Sequence, residues 1–456
     1  MSGRRFFLLP ISGESSGELE RNTAGVLTWS RESDPWDAVD RLWSATPAAP
    51  AYRRVVLADS LAHAQGALAD LDPRWVHTME PERAARQVAF CFSGLGETVT
   101  VHGRALYRCV TEFRTTLDRL EGLAKDRLGH DLGVDRLRHN GPKAAQSGGE
   151  PCGSGVLRSA MRPARAAVAA GTRATVPTQT DQPLRWAVGY ALARTWLAAG
   201  IAPSLVLGHS LGEYVVACLA GVFSEEDALR LVVRRAELIA ELPAGSMVVI
   251  SLPAEVLAPR LPDGVVVSAV NAPSLTVVSG SGPALDGLVQ ELAAEGTPHR
   301  RLDVDRPFHS PQLAPVEASL AEMVADADRR PPRLRWISSV TGRWMRPADA
   351  VDPGYWARHT SAPVNYLAAL RLARRAGPLV LLEVGAGESL TTFAAHTLLG
   401  VPAPKPVPLA SLPRSPYWDC DSASWLSALG RLWTLGASVD WAAAHALIKS
   451  PETATA

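Results

Sequence analysis

Apolar and polar positions change period several times along the first 85 residues. FFLLPIS at 6–12 and RRVVLA at 53–58 are short continuous apolar runs, whereas 16–29, 35–46 and 60–70 repeat apolar residues every three to four positions. The pattern predicts two strands and three helices, a small α/β unit over 1–85, with Ser60 of Asp59-Ser60-Leu61 as the N-cap of a helix that follows a strand. QVAFCFSGLGE at 87–97 is an apolar run ending in glycines, as a strand buried on both faces has when it delivers a loop at its C-terminal end. Residues 138–180 are rich in Gly, Ala, Pro and Arg and read as an exposed insertion. Helical spacing resumes at 182–200, and PSLVLG at 203–208 is the next buried strand. Strand, helix, strand, helix predicts an open parallel sheet covered by helices.

Between 245 and 305 the rhythm shortens to SMVVISL, PAEVLAPRL, GVVVSAVN, SLTVVSG, GPALDGLVQELAAEG and HRRLDV. The order is βαββαβ, the split βαβ or ferredoxin-like pattern, and it predicts a small domain inserted into the larger one. RLRWISSVTG and LVLLEVGAGESLTTFAAH then return the chain to the large sheet, and a Pro-rich tail from 402 leads to a helix at 422–434. The expected organisation is therefore a linker unit at 1–85, a large α/β hydrolase-like part at 86–243 and 306–401, the insert at 244–305, and a wrapping C-terminal extension at 402–456.

Bulk composition removes several classes of function. No apolar stretch is long enough to span a bilayer, and Pro10 breaks the N-terminal run before it could serve as a signal sequence. Lys and Arg total 46, as do Asp and Glu, and the two signs are interspersed, so the basic stripe needed for nucleic acid is absent. Cys91, Cys109, Cys152, Cys218 and Cys420 are scattered without CxxC spacing, which predicts neither a disulfide framework nor a metal site and fits a reducing cytoplasm.

Chemistry concentrates at Gly208-His209-Ser210-Leu211-Gly212. The spacing fits GxSxG between a strand and a helix, a tight turn that lifts the Ser210 hydroxyl clear of the sheet and aims free helix N–H groups at the same spot. A serine needs a base, and among eleven histidines His309 stands out, because DVDRPFHSP places it where the chain leaves the insert and re-enters the large domain. His209 adjoins the serine but should point away from it. On the helix predicted at 224–242, Ser224 and Asp227 form a capping pair. Arg235 falls on the apolar stripe of that helix with Ala228, Leu231, Val232, Ile239 and Leu242. A guanidinium facing an apolar interior must meet an anion. That anion is either an internal carboxylate or the carboxylate of a substrate, held by the paired hydrogen bonds that arginine supplies.

GHSLGEY, the downstream arginine, FHSP and LLEVGAGESLT together resemble the acyltransferase domains of modular polyketide synthases and the malonyl-CoA:acyl carrier protein transacylases. The likeness runs through almost the whole chain, with 1–85 and LPRSPYWDCDSASWLSALGRLWTLGASVDWAA similar to the linkers that flank such domains. It implies a ping-pong transfer in which Ser210 attacks an acyl-CoA thioester and His309 acts as base and then acid. The acyl group would pass to the phosphopantetheine thiol of an acyl carrier protein, with no bound cofactor. It further implies that a backbone group near Ser338 and Ser339 orients the histidine, that Gln182 lines the pocket with His209, and that Arg235 holds a malonyl carboxylate. The backbone N–H groups of Leu95 and Leu211 would form the oxyanion hole.

Two departures stand out. Where the family has FPGQGSQ, this chain has Phe92-Ser93-Gly94-Leu95-Gly96-Glu97-Thr98, and the malonyl-type HAFH reads Arg306-Pro307-Phe308-His309. Phe308 would crowd an α-methyl branch, and Leu211 is malonyl-like, whereas Arg306 beside the pocket is unusual. The expectation is a cytoplasmic enzyme acting in trans on a carrier protein, possessing a malonyl-type donor and serving a polyketide synthase. An acyl-thioester hydrolase and a starter-unit transferase are the alternatives on the same fold.

Overall fold

The computed structural model describes residues 5–30, 34–47, 50–79, 86–94, 103–138, 177–413 and 421–448. Three sheets organise them. The first is antiparallel, β1 (Phe7–Gly13), β2 (Tyr52–Ala58) and β3 (Val76–Thr78) in that order. Ser60 caps helix Leu61–Ala69 through a bond from the His63 N–H to its Oγ at 3.2 Å, the structural role expected of it. Arg53 on β2 reaches across to the C-terminal part of the chain, donating to the carbonyls of Trp433 and Ala437 at 2.7 and 2.9 Å. The N-terminal unit and helix Asp421–Thr434 are thereby joined.

The second sheet is parallel. β4 (Gln87–Phe92) lies at its centre between β5 (Leu205–Gly208) and β11 (Leu379–Val384), with β10 (Trp336–Ile337) and β12 (Val407–Ala410) at the edges. Alternate residues of β4 enter different cores: Val88, Phe90 and Phe92 join one cluster, Ala89 and Cys91 another. That is the pleat of a strand covered on both faces, which is why its sequence reads as an unbroken apolar run. In register, Phe92 is level with Gly208 and with Val384, so three loops leave the sheet side by side at its C-terminal edge, where open parallel sheets bind their ligands.

The third sheet has the order β7 (Val266–Ala272), β8 (Leu275–Gly280), β6 (Ser246–Ile250), β9 (His299–Arg301), antiparallel throughout. This is the ferredoxin-like arrangement that the βαββαβ order implies. Val248, Ile250 and Val278 pack on helix Gly282–Ala294, while Met247, Val249 and Val277 face the core of the large part. The first helix of the insert is brief, Ala254–Leu257 followed by a 3-10 turn at Ala258–Arg260, because Pro259 stops it. Backbone bonds stitch the insert to the large part: Val270 N–H to Val364 O at 2.8 Å and Val364 N–H to Ser268 O at 2.9 Å.

Two expectations change. The large sheet does not end at 401, since β12 adds a fifth parallel strand at 407–410 inside what reads as a tail. Pro408 is tolerated there because an edge strand has one side without ladder bonds. Helix Thr178–Ala198 begins earlier than expected, and the rest of the insertion expected at 138–180 lies outside the described residues apart from Arg138 and Pro177. Among the described residues no helix is long and apolar enough to cross a membrane.

Candidate active site

The site begins with a turn that only small residues permit. β5 ends at Gly208, and helix Gly212–Leu219 starts four residues later. Between them Ser210 adopts φ 53°, a left-handed conformation costly for a non-glycine residue. The turn is compressed against the end of β4. A Cβ on Gly212 would overlap the carbonyl of Phe92, and one on Gly94 would sit 2.6 Å from the His209 carbonyl oxygen and 3.0 Å from the Ser210 Cβ. Glycine at 94 and 212 is therefore what allows the strand, the loop after β4 and the serine to converge.

His309 meets this serine. Ser210 Oγ lies 2.6 Å from His309 Nε2, and His309 Nδ1 lies 2.9 Å from the Ala362 carbonyl oxygen. A carbonyl can only accept, so Nδ1 carries the proton and Nε2 is left to accept from the serine hydroxyl. Burial, reinforced by the positive charge of Arg235, pushes His309 down to about 3, so the ring is neutral and ready to take a proton. His309 itself sits at φ 58°, and the carbonyl of its neighbour Phe308 is held by Ser279 Oγ of the insert at 2.7 Å.

The orienting carbonyl corrects one expectation. Ser338 and Ser339 do not hold His309; they hold Glu213 of the helix that follows the elbow. Ser339 N–H donates to Glu213 Oε1 and Tyr355 O–H to Oε2, both at 2.5 Å, and Ser338 Oγ lies 2.8 Å from the Tyr355 hydroxyl. Glu213 is fully buried, and desolvation pushes its carboxyl up to about 7 despite these donors.

Arg235 is 1% exposed. Its Nη1 donates to Gln182 Oε1, and its guanidinium carbon lies 5.7 Å from the centre of the Tyr214 ring. Among the described residues no carboxylate pairs with it, and Arg235 Nε and Nη2 and Gln182 Nε2 are buried without a hydrogen-bond partner. The structure thus brings Ser210, His309, Arg235 and Gln182 into one buried cluster, with Phe308 2% exposed in the segment leading to His309. The Leu211 N–H opens the helix after the serine, where no intrahelical acceptor exists. Leu95, the other expected oxyanion donor, lies outside the described residues.

Two expected pocket residues are committed elsewhere. His209 Nε2 lies 2.8 Å from Asn271 Oδ1, so its ring turns to the insert. Arg306 caps a helix: its Nε and Nη2 donate to the carbonyls of Ile239 and Ala240 at 3.1 and 2.7 Å, the C-terminal end of helix Glu225–Ala240. Cationic groups are favoured there by the unpaired carbonyls of the last turn. The Arg306 departure from HAFH is thereby explained by the helix end it satisfies.

A family profile described as the acyl transferase domain matches residues 89–408, from β4 through the insert to β12. The chain belongs to this acyl transferase family. Among solved structures, the acyl transferase domain of SpnD in complex with 2-(pent-4-yn-1-yl)malonyl is 31% identical, with a TM-score of 0.78 over 98% of each chain. The acyl transferase domain of ZmaA is 25% identical, with a TM-score of 0.80 over 98% of each. The polyketide synthase GfsA of Streptomyces halstedii is 36% identical over 266 residues, 57% of this chain and 4% of that protein. This acyl transferase spans 17% or less of the length of the curated relatives first matched, and the likeness is to an acyltransferase domain of polyketide synthases.

Three features around the site of this acyl transferase escape sequence reasoning. Ala362 acts through a carbonyl that any residue has, so no side chain announces it. Glu213 reads as an ordinary helix-start acid. His359, on helix Pro353–Ser361, resembles the other ten histidines, yet it is 1% exposed and packs edge-on against Tyr214 with ring centres 5.4 Å apart.

Proposed function

We propose that the chain transfers a malonyl-type acyl group from CoA, through an acyl-Ser210 intermediate, to the phosphopantetheine thiol of an acyl carrier protein. The observation that carries the reading is the buried guanidinium of Arg235, with open N–H groups and no protein carboxylate among the described residues, in the cluster that holds the Ser210–His309 pair. A buried cation left open in this way is stabilised by an anion that arrives with the substrate. A related domain that binds a substituted malonyl group supports a dicarboxylic donor.

In this mechanism Ser210 Oγ attacks the thioester carbonyl while its proton moves to His309 Nε2. The developing oxyanion lies against the Leu211 N–H and a second donor from the loop after β4. His309 then returns the proton to the departing CoA sulfur, leaving acyl-Ser210. In the second half the carrier thiol loses its proton to His309 and attacks the ester, and His309 protonates Ser210 as the acyl group leaves. A carboxylate at Arg235 also cancels the positive charge that helps hold His309 low, so a malonyl donor strengthens the base that attacks it.

The test is the intact mass of the protein after brief incubation with malonyl-, methylmalonyl-, acetyl- and longer acyl-CoA, with Ser210→Ala as control. The expected result is a malonyl adduct absent from Ser210→Ala and discharged faster by a carrier thiol than by water. Free CoA without an adduct would make the chain a thioester hydrolase and overturn the transferase reading.

A further inference from the structure

The neighbourhood of Arg235 holds one more buried polar side chain that the mechanism above does not use. His359 lies on the helix just before Ala362, the residue whose carbonyl orients His309, and the two imidazole rings are 6.2 Å apart between centres. Its ring contacts Tyr214 and Trp356, and Tyr214 is the same ring that Arg235 covers. Glu213 stops short of it, with 3.8 Å between Oε2 and His359 Nε2, because both Glu213 oxygens are taken by Ser339 and Tyr355. Neither ring nitrogen makes a hydrogen bond of ordinary geometry with the described residues, and the backbone of Ser210 is a polar neighbour of the ring.

Leaving an imidazole N–H buried and unpaired costs the desolvation of that group, and natural structures rarely accept it without a reason. Here the orphaned atoms are clustered: Arg235 Nε and Nη2, Gln182 Nε2 and the His359 ring belong to side chains that pack around Tyr214 and the Ser210–His309 pair. All can donate. A single acceptor-rich group entering from the substrate satisfies the set. Burial and the nearby charge of Arg235 keep the His359 ring neutral, so it brings one N–H donor and no charge.

We propose that His359 is a specificity-determining residue that donates a hydrogen bond to the carboxylate of the donor acyl group, beside the arginine that supplies its counter-charge. This rests on the malonyl reading given above. It also accounts for a histidine held 1% exposed among Tyr214, Tyr355 and Trp356 without a hydrogen bond of ordinary geometry to the described residues. A hydrogen bond to a charged group is strong enough for its loss to cost about 10- to 100-fold in transition-state stabilisation.

The experiment measures kcat/KM for loading of Ser210 from malonyl-CoA and from acetyl-CoA in the parent, in His359→Phe and in His359→Gln, with a thermal melt of each. The ratio of malonyl to acetyl loading is expected to fall about 10- to 100-fold in His359→Phe and to recover most of that loss in His359→Gln, which keeps a donor. His359→Met repeats the test with a more flexible side chain if His359→Phe does not fold. An unchanged ratio, whether both donors slow together or neither does, overturns the inference and leaves the malonyl reading intact. A parent protein that loads no malonyl group overturns the malonyl reading itself, and the inference with it.

Discussion

Arg53 and Arg235 are both buried, and among the described residues neither faces a carboxylate, yet they are buried in opposite ways. Arg53 is closed. Its Nε donates to the Pro50 carbonyl at 3.0 Å, its Nη1 to Trp433 and Ala437, and its guanidinium lies over the Trp433 ring at 5.5 Å. Arg235 is open: it donates to Gln182, interacts with Tyr214, and keeps Nε and Nη2 buried without a hydrogen bond of ordinary geometry among the described residues. Desolvation lowers the pKa of both, so both are held in the fold at a cost. The difference teaches that burial of a charge is not by itself a functional signal. A guanidinium saturated by backbone carbonyls ties two parts of the chain together, whereas one with spare N–H groups near the Ser210–His309 pair fits the proposed role of receiving a group the protein does not supply.

The sharpest way to break this contrast is to replace each arginine by methionine. Arg235→Met should lower kcat/KM for malonyl loading about 100- to 1,000-fold, because it removes the whole counter-charge of the carboxylate. The same variant should be as stable as the parent or more so by about 1 to 2 kcal/mol in urea titration, since an unpaired buried cation is replaced by an apolar chain. A variant that still loads malonyl like the parent would place the carboxylate elsewhere. Arg53→Met should do the reverse. It strands three buried carbonyls and is expected to cost about 2 to 4 kcal/mol of stability, with loading by the folded fraction within about twofold of the parent. Equal loss of activity in both variants would erase the distinction.

A smaller effect separates the two arginines by pH. The charge of Arg235 contributes to holding His309 at about 3, so in the parent the base stays unprotonated and loading from acetyl-CoA should be flat as pH falls from about 8 to 5. Removing a positive charge raises the pKa of a neighbouring histidine. In Arg235→Met the acid limb therefore moves upward, though burial still holds the ring below its ordinary value, and acetyl loading should begin to fall at a higher pH than in the parent, whereas Arg53→Met should keep the parent profile. Rates of intact-mass conversion across that range decide it.

Much of this was readable from residues. The insert announced itself because each of its six elements is bounded by Gly, Pro or charge, and the observed strand order is the one that βαββαβ connectivity demands. Ser210 was legible because GxSxG has a steric reason, and Arg235 because a charge on an apolar stripe is a contradiction that needs resolving. What stayed hidden had no local signature. β3 is three residues long and β10 two, too short for any period to register. β12 contains a proline, which argues against a strand unless its place at the sheet edge is known. Arg306 looked like a pocket residue because it lies three positions before His309, and only the three-dimensional structure brings it to the end of helix Glu225–Ala240. The Ala362 carbonyl and the unpaired ring of His359 are properties of place, not of residue type.

The backbone bonds between β7 and Val364 carry a practical consequence for anyone recombining such enzymes. The inserted unit looks exchangeable, with its own hydrophobic centre and its two ends joined in space by the bond from the Gly245 N–H to the Asp305 carbonyl at 3.1 Å. Its outermost strand, however, is laced to the segment that follows Ala362, and Ser279 grips the residue before His309. A graft cut at 244 and 305 would sever the donor's strand from the partner it was shaped for, and the first thing to loosen would be the histidine's aim. Working chimeras should carry 359–364 along with the insert, treating two stretches far apart in sequence as one transplantable part.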